Sequence, residues 1–502
     1  MSKKPSDDVS KRQLTRRDFI KTTGALSAAY WLGPKLIFGG LVYADIPGTL
    51  DPFGVDKFTT PLLIPPAMPL ADQIKWKDGK HRDDQDVDYY EIAIRQFQQQ
   101  ILPAGSPTTT VWGYGPKVAQ KGPKIFNAPS LTIEADYQKP VRIKWNNELV
   151  DKYGNYLPHL LPVDPTLHWA NPPGGTSGRD MRPAFKATPG KYTGPVPLIT
   201  HVHGAVGVGD ESDGYAEAWF LPAAKNIPKG YATVGTWYDF FKKKAHQKFD
   251  VNWEPGSSIT QYPNDQRAAT NWYHDHSMGI TRLNVYAGPA GFFIVRGGPD
   301  DVVIDSRNHH KAILPGPAPG QNDKSGTKYY EIPIAIQDRT FNADGSLFYP
   351  NTREFFDQIT GPYIPDSDLS PIWNPETFGD SIMVNGNTWP FLNVEQRRYR
   401  LRFLNGCNAR SLVLKFDNPN VKVWQIGAEG GFLVAPVNMN TTKLYPDEVL
   451  DDNARLLLMS AERADVIVDF SGVKAGTSFK LLNIGPNIPF NGFPISSNSK
   501  VF

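Results

Sequence analysis

The 502-residue sequence predicts an all-β protein, and three observations carry that expectation. Pro (45) and Gly (44) are spread along the chain rather than gathered in one tract, which suits many short strands joined by tight turns. Helical periodicity is scarce from Asp45 onward, whereas alternating or β-branched runs recur between Pro and Gly punctuation. An ordered internal repeat is the third.

The runs fall at residues 90–97, 141–145, 291–295, 330–336, 399–404, 421–426 and 464–470, and their alternation predicts antiparallel strands. Residues 214–220 could form a helical turn. In the repeat, Tyr89-Tyr90-Glu91-Ile92 returns as Tyr329-Tyr330-Glu331-Ile332, and Pro129-Ser130-Leu131-Thr132-Ile133-Glu134 returns as Pro390-Phe391-Leu392-Asn393-Val394-Glu395. A basic alternating strand ending in Asn follows each second segment, Val141-Arg142-Ile143-Lys144-Trp145-Asn146 and then Tyr399-Arg400-Leu401-Arg402-Phe403-Leu404-Asn405. Two related units are expected, 45–298 and 299–485. Residues 486–502, rich in Asn, Pro, Gly and Ser, read as a linker or the start of a further domain.

The N-terminus carries Arg16-Arg17, thirteen uncharged residues at 22–34 and the small-residue site Val42-Tyr43-Ala44. This resembles a twin-arginine (Tat) export signal over 1–44, cleaved after Ala44, and implies periplasmic or extracytoplasmic work. Lys35 keeps the apolar stretch short of a membrane span, and no run of 18 apolar residues occurs elsewhere. Hydrophobic residues at 40% supply several cores, and a net charge of only +2 argues against nucleic-acid binding. The lone cysteine, Cys407, excludes an internal disulfide.

Ten histidines are present, and none follows His310. Four form two His-x-His pairs, His201-Val202-His203 and His274-Asp275-His276. On a strand such side chains share one face about 6.6–6.8 Å apart, which suits two rings reaching adjacent metals. Neutral imidazoles without a thiolate favour copper or zinc over oxygen-preferring magnesium or calcium, and ligand type alone leaves copper and zinc both open. A zinc hydrolase would want a general base, and only Asp275 is at hand. His81, His159, His168, His246, His309 and His310 read as structural or solvated residues.

The segments Ile199-Thr200-His201-Val202-His203-Gly204, Ser212-Asp213-Gly214-Tyr215 to Ala218-Trp219-Phe220 and Trp272-Tyr273-His274-Asp275-His276-Ser277-Met278-Gly279-Ile280-Thr281-Arg282-Leu283-Asn284-Val285-Tyr286-Ala287-Gly288 to Gly291-Phe292 resemble the multicopper oxidases, of the bacterial spore-coat laccase, bilirubin oxidase and phenoxazinone synthase type. In the second unit, Val384-Asn385-Gly386, Leu404-Asn405-Gly406-Cys407-Asn408-Ala409-Arg410 and Ala461-Glu462-Arg463-Ala464-Asp465 resemble that group's middle domain. The resemblance implies tandem cupredoxin-like Greek-key β-barrels and an oxidoreductase that couples one-electron oxidation of a phenolic, bilirubin-like or metal-ion donor to reduction of dioxygen to water. It implies His201 as a type 2 copper ligand and His203, His274 and His276 as ligands of the type 3 pair. Asp213 and Asp275 stand nearby as hydrogen-bonding or proton-relay residues.

One departure matters. Family members bring the type 1 copper and four more imidazoles on a third domain, whereas Cys407 here is flanked by Gly406 and Asn408. Cys407 is therefore expected to be a small buried thiol, with no type 1 site in this chain. The chain is expected to be inactive alone, its third domain supplied by a separate chain or lost by truncation, with about 600–1,500 Å² of apolar surface uncovered. An exported cupredoxin-like scaffold or copper-binding protein without oxidase activity is the alternative.

Overall fold

The side-chain alternation of the sequence folds into two pairs of stacked sheets. The computed structural model describes residues 48–76, 85–117, 125–305, 307–351, 376–439 and 456–490. The expected export signal over 1–44, His81 and the tail beyond residue 490 lie outside them. In the first unit the strands are β1 (Asp72–Trp76), β2 (Gln85–Gln99), β3 (Thr109–Pro116), β4 (Ser130–Asp136), β5 (Val141–Asn147), β6 (Thr200–His203), β7 (Ser257–Tyr262), β8 (Ala269–Asp275) and β9 (Ala290–Arg296). One sheet runs β1-β2-β5-β7 with β3 on β2, and the other runs β4-β9-β8-β6. The second unit contains β10 (Glu331–Phe341), β11 (Leu347–Phe348), β12 (Ser381–Val384), β13 (Asn387–Thr388), β14 (Arg398–Asn405), β15 (Leu412–Phe416), β16 (Lys422–Ala428), β17 (Gly431–Asn438), β18 (Leu456–Leu458), β19 (Arg463–Asp469) and β20 (Leu481–Asn483). Its larger sheet runs β13-β12-β10-β14-β19-β16-β17 with β11 on β10, and its smaller sheet runs β18-β15-β20.

The antiparallel expectation needs correction at three places. β2 pairs β5, β4 pairs β9 and β10 pairs β14 in parallel. A parallel neighbour requires the chain to cross over rather than turn back, and each pair here is separated in sequence by other strands. Two of the repeated segments become the equivalent parallel pairs β2–β5 and β10–β14, each flanked by an antiparallel third strand, β7 or β19. The third segment forms β4 in the first unit, while its second copy makes only an isolated bridge, Phe391 to Pro61.

Among the described residues, apart from the single turn Gly175–Gly178, two helices depart from an all-strand reading, α1 (Tyr238–Phe249) and α2 (Thr281–Ala287). Helix α1 buries Tyr238, Phe241, Ala245 and Phe249, a stripe at helical spacing that packs on the first core. A short 3₁₀ turn at Ala216–Ala218 occupies the segment expected to turn.

Strand β9 shows how the units join. Phe293 and Val295 face the first core, while Ala290, Phe292 and Ile294 share a cluster with Trp272 and with Ala335 and Leu404 of the second unit. Strand β8 divides likewise, Tyr273 inward and Trp272 outward. One sheet of the first unit is thus covered on both faces. No helix among the described residues is long and apolar enough to cross a membrane.

Candidate metal centre

The pairing of β6 with β8 sets the site. Their antiparallel register places His201 opposite His274 and His203 opposite Trp272. Because i and i+2 share a face, these four side chains form a two-by-two block on the sheet face that carries Trp272 towards the second unit. His276 follows the end of β8 and turns back beside His201. Ring centroids lie 5.8 Å apart for His201–His203, 5.7 Å for His201–His274, 4.9 Å for His201–His276, 5.7 Å for His203–His274 and 5.9 Å for His274–His276. The two sequence-distant pairs therefore meet. Among the described residues no three His, Cys, Asp or Glu side chains close around a single metal position.

The ring nitrogens are partly committed. His201 Nδ1–H donates to the Asp213 carbonyl at 2.5 Å, and His274 Nδ1–H donates to the Asp275 carbonyl at 2.7 Å. Each bond leaves the opposite nitrogen, Nε2, with its lone pair. His274 Nε2 and His276 Nδ1 are buried and have no hydrogen-bond partner. Burial drives His274 well below the usual imidazole range, lowers His276, and pushes His203 down to about 4 with the Arg463 guanidinium adding to the effect. Neutral, buried, unpartnered imidazole nitrogens are the donor set that copper or zinc would take, so these residues fit such an ion.

Asp275 and Asp213 act through the scaffold. Asp275 is fully buried and accepts from Ile199 N–H, Ser277 N–H, Ser277 Oγ and Asn284 Nδ2 at 2.8–3.1 Å. It ties the His274–His276 turn to the strand entering His201 and to α2, and burial pushes its carboxyl up to about 6. Asp213 offers its backbone carbonyl to His201, and its carboxylate, 3.5 Å from the same ring nitrogen, has its pKa lowered by that side-chain contact. Gly214, at φ +77°, lets that loop pass against Thr200, whose carbonyl a Cβ at 214 would overlap.

The remaining histidines lie apart from the block. His159 packs against Trp112 at 4.6 Å and bonds to Asn284 Oδ1 at 3.0 Å, His168 bonds to the Asp180 carbonyl, and His246 sits on α1. His309 and His310 are exposed. Cys407 is buried in the second core, its Sγ 3.8 Å from the Ile336 carbonyl, and burial holds it as a thiol. Three residues that border or brace the block were given no role by the sequence: Trp272, whose ring lies 4.1 Å from that of His274, Asn284 and Arg463. Only their positions inside the motif segments signalled them.

Comparisons with known proteins bear on the family. The chain is 34% identical over 394 residues to a laccase of Bacillus stratosphericus, covering 78% of this chain and 56% of that one. It is 32% identical over 402 residues to the rice (Oryza sativa subsp. japonica) multicopper oxidase LPR1 homolog 3, covering 79% and 55%. A crystal structure of a multi-copper oxidase from Pediococcus acidilactici aligns with 86% of this chain and 60% of its own, at 22% identity and a TM-score of 0.49. No protein-family model matches the chain. The chain spans little more than half the length of the two curated relatives described.

Proposed function

The chain belongs to the multicopper oxidase family, and from that premise we propose that His201, His203, His274 and His276 hold copper in an oxidase that takes electrons singly from a reducing donor and passes them to dioxygen. The observation that carries the reading is the convergence of four rings within 4.9–5.9 Å, with His274 Nε2 and His276 Nδ1 buried and unpartnered. His201 is assigned to the type 2 position and the other three to the type 3 pair. Bound copper would supply one-electron redox cycling and a site for dioxygen reduction.

The chain's own residues prepare that site. The Asp213 and Asp275 carbonyls fix the tautomers of His201 and His274, so that Nε2 of each ring is the free donor. Burial lowers the pKa of His203, His274 and His276 and so favours their neutral, metal-binding form. Trp272 covers His203 and His274 on the inter-unit side and limits water there. Four imidazoles are half of the ligand set that the family resemblance implies for such a cluster. A phenolic, bilirubin-like or metal-ion donor fits the reading. Arg16-Arg17 and the Ala44 site support export through the Tat route to the periplasm or beyond.

Copper titration of the purified chain with metal analysis tests the proposal. Uptake of copper in preference to zinc is expected, and the double substitution His201→Ala/His276→Ala should abolish it. Equal uptake by parent and double variant would remove these imidazoles from the site.

A further inference from the structure

The second unit contributes none of the four imidazoles, yet one of its side chains reaches the strand end that carries His203. Arg463, the first residue of β19, is 2% exposed. Its Nε donates to the Thr270 carbonyl of β8 at 2.9 Å, and its Nη1 donates to the Ala461 carbonyl at 3.0 Å and pairs with Glu429. Its backbone N–H also donates to Glu429, at 2.8 Å. Gly204, directly after His203, has φ +96°, and a Cβ built there would lie 2.6 Å from Arg463 Nη2 and 2.5 Å from Asn271 Oδ1. The guanidinium therefore presses on the backbone immediately beyond His203, in space that only a glycine leaves open. Asn271 is completely buried, and neither of its amide atoms has a hydrogen-bond partner.

We propose that Arg463 is a positioning residue for His203: the second unit clamps the β6–β8 strand ends across the interface and so fixes one corner of the imidazole block. The clamp is directional. Arg463 holds β8 through Thr270 and abuts β6 at Gly204, so that losing the fork frees both strands where His203 stands opposite Trp272. Glu429 orients the fork from the second unit's side. The inference rests on the proposed copper site for its significance, and on the contacts alone for its geometry.

The test compares Arg463→Met, Arg463→Lys and Gly204→Ala with the parent chain. Arg267→Met serves as control, because Arg267 also bridges the units, through the Phe432 carbonyl at 2.9 Å, and the substitution leaves in place its neighbour Gln266, which bonds the Gly204 carbonyl at 3.2 Å. Hydrogen exchange of residues 200–206 in the metal-free chain should rise about tenfold in Arg463→Met, as expected when a charged hydrogen bond is lost locally, and recover in part in Arg463→Lys. Copper affinity should fall in parallel, while Arg267→Met changes neither. Gly204→Ala strains its own backbone at φ +96° besides crowding the guanidinium, so it is read against the double variant Gly204→Ala/Arg463→Lys: a shared clamp makes the two effects less than additive, and that reading stands if Arg463→Met does not fold. Unchanged exchange at 200–206, or an equal rise in Arg267→Met, overturns the clamp whether or not the parent binds copper. A parent that binds no copper but shows the exchange pattern overturns the metal reading alone.

Discussion

Asp275 shows how much one buried carboxylate can organise. Its two oxygens accept four hydrogen bonds, so replacement by Asn sets an NH₂ group against N–H donors on at least one side. Asp275→Asn should destabilise the chain by roughly 1–3 kcal/mol for each buried group left unpaired, read as a lowered denaturation midpoint. An unchanged midpoint would mean that the four donors find other partners. Gly214 is constrained differently. Ala at φ +77° would both strain the backbone and overlap the Thr200 carbonyl, and Gly214→Ala should cost about 2 kcal/mol or more in the same measurement.

The strands were legible from alternating or β-branched residues between Pro and Gly, and the seven runs read from the sequence fall on strands to within a residue, although β8, β9 and β10 are buried on both faces. Parallel pairing was not, because alternation records which face is buried and says nothing about a strand's neighbour. Helix α1 was readable and overlooked: Tyr238, Phe241, Ala245 and Phe249 repeat at helical spacing, but the Lys242-Lys243-Lys244 run disguises the stripe. The four imidazoles were legible as pairs, whereas the loop that aims His201 was not. That loop is tied to α1 by Glu211, which is 2% exposed, accepts from Lys248 Nζ at 2.7 Å and lies 3.7 Å from Lys244. Glu211→Gln should therefore cost about 1–3 kcal/mol and raise amide exchange across residues 209–214 more than elsewhere. Uniform change along the chain would show that α1 does not restrain the loop.

At the scale of the molecule, the basic alternating strand of the repeat took on a role its sequence did not announce. Arg400 and Arg402 would be solvated on an isolated strand, yet they are buried because Glu331, Asp465 and the first unit's Thr270 converge on them from separate strands, while the first unit's Arg296 shares Glu331. Burial alone would raise the Glu331 pKa, but Arg402, Arg296 and Arg400 outweigh it and hold it at about 2, against an ordinary value of 4.5. A depressed carboxylate pKa stabilises the folded state above pH 4.5, and that contribution fades as the pH falls towards 2. Parent and Glu331→Gln should therefore differ by on the order of 3 kcal/mol at neutral pH, with the gap closing through this window in equilibrium denaturation. His159 adds a second window. Burial pushes it from 6.5 down to about 3, so the unfolded chain takes up a proton first and stability falls as the pH drops below 6.5. Asp380, pushed up to about 6 by burial, works in the opposite sense between 3.8 and about 6, so the difference between parent and variant, rather than the parent's slope alone, isolates each group. A Glu331→Gln gap that persists undiminished to pH 2 would mean that the substitution acts through packing and not through the charge that joins the two units.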